Sequence, residues 1–367
     1  MRITRVTVWR IDLPYVGGTY SWAKGYALSV ADSTLVRLDT DEGLSGWGET
    51  CPVGAVYLPA YPEGVRAGLG VLAPHVIGLD PTQIGAVNGV MDHEMVGHPY
   101  VKSALDVACW DILGKAAGLP VHALLGGRRH DAMPMYRAVP QGTAEEMAVA
   151  VESFRQQGYR QFQLKVGGAP DDDIARIGTV TDSMRPGEIL LCDGNRGWRR
   201  DEALRVAAAT RDLFYYLEQP CARYDDCLAV RRRATQPFKL DETLQEADDL
   251  FRAKADDAFD AASIKVSRMG GLSKSRFARD FCAAAGVTMT IEDSWGGGVV
   301  TAALAHLAAS TPPEFLLNTT DLHNYNTVQF VDGAPEARDG TLAVSDEPGL
   351  GVTVDEGALG EPVAVYQ

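Results

Sequence analysis

No run of 18 apolar residues occurs in this chain, so a membrane-spanning helix is not expected. Met1-Arg2-Ile3-Thr4-Arg5-Val6 reads as the start of a strand rather than a signal peptide, and the expected location is the cytoplasm. Basic residues are scarce: 34 Lys and Arg against 49 Asp and Glu give a formal charge of −15, which argues against nucleic acid or an anionic membrane as partner. A local cationic site inside an acidic protein can still take a small acid. The six cysteines (Cys51, Cys109, Cys192, Cys221, Cys227, Cys282) form no C-x-x-C pair, so neither a disulfide framework nor a structural zinc site is expected, only core thiols. Walker A and G-x-G-x-x-G runs are absent, and Gly167-Gly168 and Gly270-Gly271 fit sharp turns after strands. His93-Glu94-Met95-Val96-Gly97-His98 has one residue too many for H-E-x-x-H, which puts its histidines about 140° apart on a helix. Asn318-Thr319-Thr320 is a glycosylation triplet without a secretory context, and Arg231-Arg232-Arg233 reads as a solvated helix face.

What the chain does contain is a repeat. Lys165, Asp193, Glu218, Asp241 and Lys265 follow one another at intervals of 28, 25, 23 and 24 residues, each ending a short apolar or aromatic run such as Ile189-Leu190-Leu191-Cys192-Asp193 or Phe214-Tyr215-Tyr216-Leu217-Glu218. Helical patterns lie between the runs, for example Asp201 to Arg211 and Ser273 to Ala285. Strand and helix alternating about every 25 residues predict a parallel sheet closed into a (β/α)8 barrel, whose active site lies where the strands end. The same register reaches Ile291-Glu292-Asp293 and Phe315-Leu316-Leu317-Asn318, and backwards Met135-Tyr136-Arg137, leaving any remaining strand short or irregular.

The first 125 residues follow a different pattern. Alternation over Ile3 to Leu13 and Ser33 to Asp39, with the turn Asp41-Glu42-Gly43, predicts an antiparallel sheet, followed by helices from Pro62 to Leu72 and Tyr100 to Gly118. Asp106 and Asp111 on the second helix read as solvated or structural charges. The expected organisation is an α+β capping domain over 1–127, completed by 345–367, and a catalytic barrel over 128–344.

Neighbouring barrel strands lie about 5 Å apart, so carboxylates ending three successive strands converge on one point and need a cation. An oxygen-only donor set selects a hard ion, and a site with room for water and substrate favours Mg²⁺, with Mn²⁺ as a substitute, over a calcium cage. Asp193, Glu218 and Asp241 are the candidate ligands. Lys165 and Lys265 flank the carboxylate strands and suggest two bases, one per substrate face. Near a cation and partly desolvated, each lysine is expected to lose proton affinity and so serve as a neutral base. The chemistry that follows is removal of the α-proton from a metal-bound carboxylate, giving an enediolate.

Gln163-Leu164-Lys165, Asp193-Gly194-Asn195, Glu218-Gln219-Pro220, Asp241-Glu242, Lys265-Val266-Ser267-Arg268-Met269-Gly270-Gly271 and Glu292-Asp293 together resemble the enolase superfamily, muconate lactonizing enzyme subgroup, over essentially the whole chain. That superfamily's use of a lysine or histidine base with Mg²⁺ on an ene-diolate is a known example of pKa tuning. The resemblance implies a capping domain whose loops close over the barrel, with Asp193, Glu218 and Asp241 as metal ligands and Lys165 and Lys265 as the acid/base pair. It departs at Gln163, where the family often has a lysine, leaving a neutral amide beside the metal-bound carboxylate. Family members are usually oligomeric, so a homo-oligomer is expected.

Finer features, including Thr19-Tyr20-Ser21-Trp22, Tyr57-Leu58-Pro59, Gly97-His98-Pro99-Tyr100 and Asn318-Thr319-Thr320-Asp321, resemble the branch of the subgroup that handles proline derivatives. The expected reaction is dehydration of cis-3-hydroxy-L-proline to pyrroline-2-carboxylate. The alternatives are racemisation or 2-epimerisation of proline or hydroxyproline betaine and, more distantly, a non-catalytic barrel that binds a small acid. A free secondary ammonium wants a hydrogen-bond acceptor, for which Asp321 is the candidate, whereas a betaine wants aromatic faces. Tyr20, Trp22, Tyr57, Gln163, Asn195, Asp293 and Trp295 complete the expected substrate-binding set.

Overall fold

The computed structural model describes residues 1–367. Four antiparallel strands open the architecture, in the order Ala364–Tyr366, Ile3–Pro14, Val30–Thr40 and Ser45–Thr50. Three helices, Pro62–Val76, Ile84–Glu94 and Pro99–Ala117, complete this layer. The last begins with Pro at its first turn and ends at Gly118, which adopts the left-handed conformation (φ 66°) that closes a helix. It packs on Ser45–Thr50 because Gly46 and Gly48 lack side chains. A Cβ on Gly48 would lie 1.9 Å from the Ala104 carbonyl oxygen, and one on Gly46 would lie 2.2 Å from that of Ala108.

The second layer is a barrel of eight parallel strands, Tyr136–Val139, Gln161–Lys165, Ile189–Asp193, Tyr216–Glu218, Phe238–Leu240, Ala261–Lys265, Thr288–Glu292 and Leu316–Thr319, hydrogen-bonded in chain order. All eight runs found in the sequence become strands. The first and eighth meet only through the single bridge Met135 to Thr319, so the barrel is nearly closed. Helices follow the strands as the alternation predicts, and the first of them, Ala144–Gln156, starts in a capping box between Thr143 and Glu146. Gly298–Ala309 is buried on every face. All six cysteines are buried and unpaired.

One continuous apolar core of 98 residues joins cap to barrel. Two buried carboxylates fasten the same joint. Glu49 accepts from the backbone N–H of Gly297 (2.7 Å) and Val300 (3.0 Å), satisfying the start of helix Gly298–Ala309. Asp106 accepts from the Ser273 N–H (3.0 Å) and its hydroxyl (2.5 Å) at the start of helix Leu272–Ala284. Asp111 accepts from the N–H of Trp47 and Leu350. Asp106 and Asp111 are therefore buried structural groups rather than solvated charges, because orphan amides at a domain joint need acceptors where water cannot reach.

A Gly48→Ala variant forces the sheet off helix Pro99–Ala117. The expected cost is about 2 kcal/mol, read as a lower urea midpoint at unchanged m-value. An unchanged midpoint would mean that this close approach carries no constraint.

Candidate active site

The strands of the barrel end in a group of buried charges. Asp193, Glu218 and Asp241 each present an oxygen within 4.8 Å of the others, and all three are buried. The strand register makes this possible: Asp193 pairs with Glu218 across the third and fourth strands, and Asp241 follows directly on the fifth. Lys165, at the end of the second strand, lies 2.6 Å from Asp193 Oδ2, while Lys265, at the end of the sixth, lies 3.0 Å from Asp241 Oδ2. The lysines thus stand on either side of the three carboxylate strands, as the spacing predicts.

Each carboxylate is held by further groups. Glu218 accepts from Gln163 Nε2 (2.9 Å) and Ser263 Oγ (3.2 Å) and pairs with Lys239 Nζ (2.9 Å). Arg268 donates to Asp241 Oδ1 (2.6 Å), and the Asn195 N–H donates to Asp193 Oδ1 (2.8 Å). Gln219, whose side-chain oxygen accepts from the Asp241 N–H (2.8 Å), takes a left-handed backbone with φ 31°. Asn195 (φ 40°) and Arg196 (φ 63°) do the same directly after Asp193 and Gly194. Strained non-glycine residues just beyond two carboxylate strands mark a site whose geometry the surrounding fold enforces.

A cavity opens above these groups, lined by Gln163, Lys165, Asn195, Lys265, Asp293 and Trp295 from the barrel and by Tyr20, Trp22 and Tyr57 from the cap. Every predicted substrate-binding residue except Asp321 is there. Two cap segments supply the lid. The short hairpin of Tyr20–Ser21 with Ala27–Leu28 is tied to the barrel by the Gln141 N–H donating to Ser21 O (3.0 Å). The Tyr57 hydroxyl accepts from Lys265 Nζ (2.6 Å) and donates to Asp241 Oδ2 (3.2 Å). Tyr20 packs edge-on against Trp295 (5.4 Å between centroids), and Trp295 against Tyr325 (5.8 Å), forming an aromatic wall.

Asp321 is not part of this cavity. Its carboxylate pairs with Arg137 (3.4 Å) and accepts from Tyr159 and from Asn324 Nδ2, facing the opposite side of the eighth strand's end. It is the partner of Arg137, whose guanidinium also stacks on the Tyr325 ring. Conversely, the sequence reading gave no role to Lys239, Arg268, Tyr136 or Glu292, which the structure adds to the site. Glu292 lines the cavity and accepts from the Tyr136 hydroxyl (2.6 Å) through Oε2, while its buried Oε1 has no hydrogen-bond donor. Strand alternation was the available signal, since Lys239 precedes Asp241 by two residues as Gln163 precedes Lys165.

Six buried carboxyl groups (Asp193, Glu218, Asp241, Glu242, Glu292, Asp293) face four buried cations (Lys165, Lys239, Lys265, Arg268), so full ionisation would leave two negative charges uncompensated. Burial, with repulsion from Asp193 and Asp241 only partly offset by Lys239, pushes the Glu218 carboxyl up to about 7. Burial and Asp241 push Glu242 up to about 8, and burial pushes Asp293 up to about 6. An all-oxygen cluster short of two positive charges fits a hard divalent cation. The expected loss of lysine proton affinity belongs to a cluster that holds a cation. In the cation-free cluster burial disfavours their charge, but Asp193 beside Lys165 and Asp241 beside Lys265 outweigh it and raise both; a cation that takes up the carboxylates' charge removes that opposing term and leaves burial to favour the neutral base. The expectation assumed a neutralised carboxylate cluster, and without that neutralisation the sign reverses.

Residues 26–126 match the mandelate racemase / muconate lactonizing enzyme N-terminal domain, and residues 146–358 match the family described as enolase C-terminal domain-like. The chain belongs to the enolase superfamily. It is an enzyme with that superfamily's barrel and N-terminal cap. Cis-3-hydroxy-L-proline dehydratase from Roseibium aggregatum is 49% identical over 366 residues, covering 100% of both chains. Among solved structures, a mandelate racemase/muconate lactonizing enzyme from Roseovarius nubinhibens ISM superposes with a TM-score of 0.97 at 48% identity, covering 100% of this chain and 98% of the other. A second from the same organism, complexed with magnesium, also gives 0.97, at 36% identity and full coverage of both. No helix of this superfamily member is long and apolar enough to cross a membrane.

The raised carboxyls set a pH dependence. Glu218 and Glu242 bind protons more tightly folded than at their ordinary value of 4.5, so their contribution to stability is complete below about pH 4.5 and is lost as pH rises through about 7 to 8. Metal-free protein should therefore melt at falling temperature over that window, and excess Mg²⁺ should raise the melting temperature more at the alkaline end. Equal Mg²⁺ stabilisation at both ends would show that the cluster does not titrate there.

Proposed function

We propose that this enolase-superfamily enzyme is a metal-assisted hydro-lyase that removes water from cis-3-hydroxy-L-proline to give pyrroline-2-carboxylate. The observation that carries this reading is the placement of Lys165 and Lys265 on either side of the carboxylate cluster, in a chain 49% identical throughout its length to a cis-3-hydroxy-L-proline dehydratase. In that substrate the carboxylate and hydroxyl share a ring face, so the α-proton lies on the other. One lysine takes the α-proton, and its C–H electron pair forms the C2–C3 double bond as the C3–O bond breaks. The other lysine protonates the departing hydroxide as water, and the resulting enamine tautomerises to the cyclic imine.

Asp193, Glu218 and Asp241 would hold Mg²⁺, with Mn²⁺ as a substitute. The ion would supply Lewis-acid stabilisation of the negative charge that develops on the substrate carboxylate. Gln163 and Asn195 offer amides around that carboxylate, and Tyr20, Trp22, Tyr57 and Trp295 shut out water above it. With Asp321 committed to Arg137, the ring ammonium finds its acceptor in Glu292, a carboxylate that lines the cavity and has the Tyr136 hydroxyl as its hydrogen-bond donor. Asp293 is less free, because both its oxygens accept backbone N–H groups, from Ser267 and Ser294.

The aromatic wall of Tyr20, Trp295 and Tyr325 favours a second reading, 2-epimerisation of a proline betaine, because a quaternary nitrogen binds aromatic faces without needing an acceptor. Proton NMR in D₂O with Mg²⁺ separates the two. Loss of the cis-3-hydroxy-L-proline ring signals with a pyrroline-2-carboxylate product establishes the dehydratase, whereas an intact hydroxyproline beside α-exchange and epimer formation in a betaine establishes the epimerase. Lys165→Ala and Lys265→Ala should each lower dehydration about 10³-fold. The variant that retains α-proton exchange keeps the base, and loss of exchange in neither would remove the lysines from the proton transfer. Glu292→Gln should raise KM for hydroxyproline more than it lowers kcat; an unaltered KM removes Glu292 as the ammonium's acceptor.

A further inference from the structure

Lys239 has no part in the proposed chemistry, yet it is among the largest side chains that the protein buries completely. The strand register explains its position. Lys165, Asp193, Glu218 and Lys239 are successive cross-strand partners on the second to fifth barrel strands, a row running cation, carboxylate, carboxylate, cation. Two adjacent carboxylates in a sealed environment repel each other, and each end of the row supplies one of them with an ammonium: Lys165 to Asp193 at 2.6 Å, Lys239 to Glu218 at 2.9 Å.

The two lysines differ in access. Lys165 lines the cavity, whereas Lys239 is 0% exposed and does not reach it. An ammonium sealed from substrate and solvent exchanges no protons with either, so it acts as a fixed charge. Its neighbours Phe238 and Leu240 point to the other side of the strand, into the apolar core. Glu218 has no other cationic partner, since its second oxygen is held by the neutral Gln163 amide at 2.9 Å. Lys239 also lies 3.9 Å from Oε1 of Glu292, the acceptor assigned above to the ring ammonium.

We propose that Lys239 is a positioning residue for the divalent metal, supplying from below the barrel mouth the fixed positive charge that lets Glu218 stand beside Asp193 as a ligand. The inference rests on the metal reading of the cluster and is independent of which substrate is turned over. The charge matters and its strand of origin does not, so a lysine on the other side of Glu218 can replace it.

The test is Mg²⁺ titration by calorimetry, without substrate, on the wild type, Lys239→Met and the double variant Lys239→Met/Gln163→Lys. Lys239→Met should bind Mg²⁺ about tenfold more weakly or worse, as loss of a group behind a metal ligand does, and the double variant should regain most of the affinity. If Lys239→Met binds like wild type, or if its loss is not recovered by Gln163→Lys, the proposal is overturned and Lys239 serves packing alone. Should Lys239→Met be insoluble, the double variant decides: it folds and binds Mg²⁺ if one cation on Glu218 is what is required, and fails if the barrel needs Lys239 itself. A wild type that does not bind Mg²⁺ would instead overturn the metal reading.

Discussion

Carboxylates at the ends of adjacent strands repel one another, and burial makes that repulsion expensive. Much of the barrel mouth can be understood as the means of holding Asp193, Glu218 and Asp241 together against it. Lys165, Lys239, Lys265 and Arg268 each contact one of the three at 3.0 Å or less. Gln219 accepts a strained backbone so that its side chain can fix the Asp241 amide. Even so, burial, with neighbouring carboxylates behind it, raises the proton affinities of Glu218 and Glu242. A fold that merely sought stability would replace such a cluster with apolar side chains. Its presence beside a cavity that two lysines line is what gives the site its chemical meaning.

The barrel was legible because charge interrupts apolar runs at a nearly constant interval, and a parallel strand followed by a helix has a nearly constant length. Each of the eight runs therefore announced a strand, and the charges ending the second to seventh stand at the barrel mouth, whereas Arg137 and Asn318, at the ends of the first and eighth, do not line the cavity. The cap was legible for a different reason, the period-two alternation of Ile3 to Leu13 and Ser33 to Asp39. Side-chain direction was not. Asp321 stands two residues beyond the eighth strand, but where the barrel closes through a single bridge its carboxylate turns to Arg137 instead of the cavity. Lys239 was hidden within an apolar run, although the same alternation that puts Asp241 inward also puts Lys239 inward. The lysines' proton affinity could not be read from identity alone, because its sign depends on how much negative charge gathers around them.

The cavity wall is divided between the two layers. The barrel contributes charged groups from fixed strand ends, and the cap contributes Tyr20, Trp22 and Tyr57 from short loops. The loops meet the barrel through few polar contacts, the Ser21 carbonyl with Gln141 and the Tyr57 hydroxyl with Lys265 among them. The remainder of the cap is anchored through Glu49 and Asp106, which satisfy amides at the starts of two barrel helices.

The capping sheet has a consequence for how the molecule is made. Strand Ile3–Pro14 lies between Val30–Thr40, which is synthesised soon after it, and Ala364–Tyr366, which leaves the ribosome only when every barrel strand already has. Until then one edge of the sheet stays open, and for much of that time the helices that Glu49 and Asp106 satisfy have not been made either. The nascent cap must wait, with an unpaired edge, for the chain's far end to return, a long-range closure of the kind that slows folding and exposes intermediates to association.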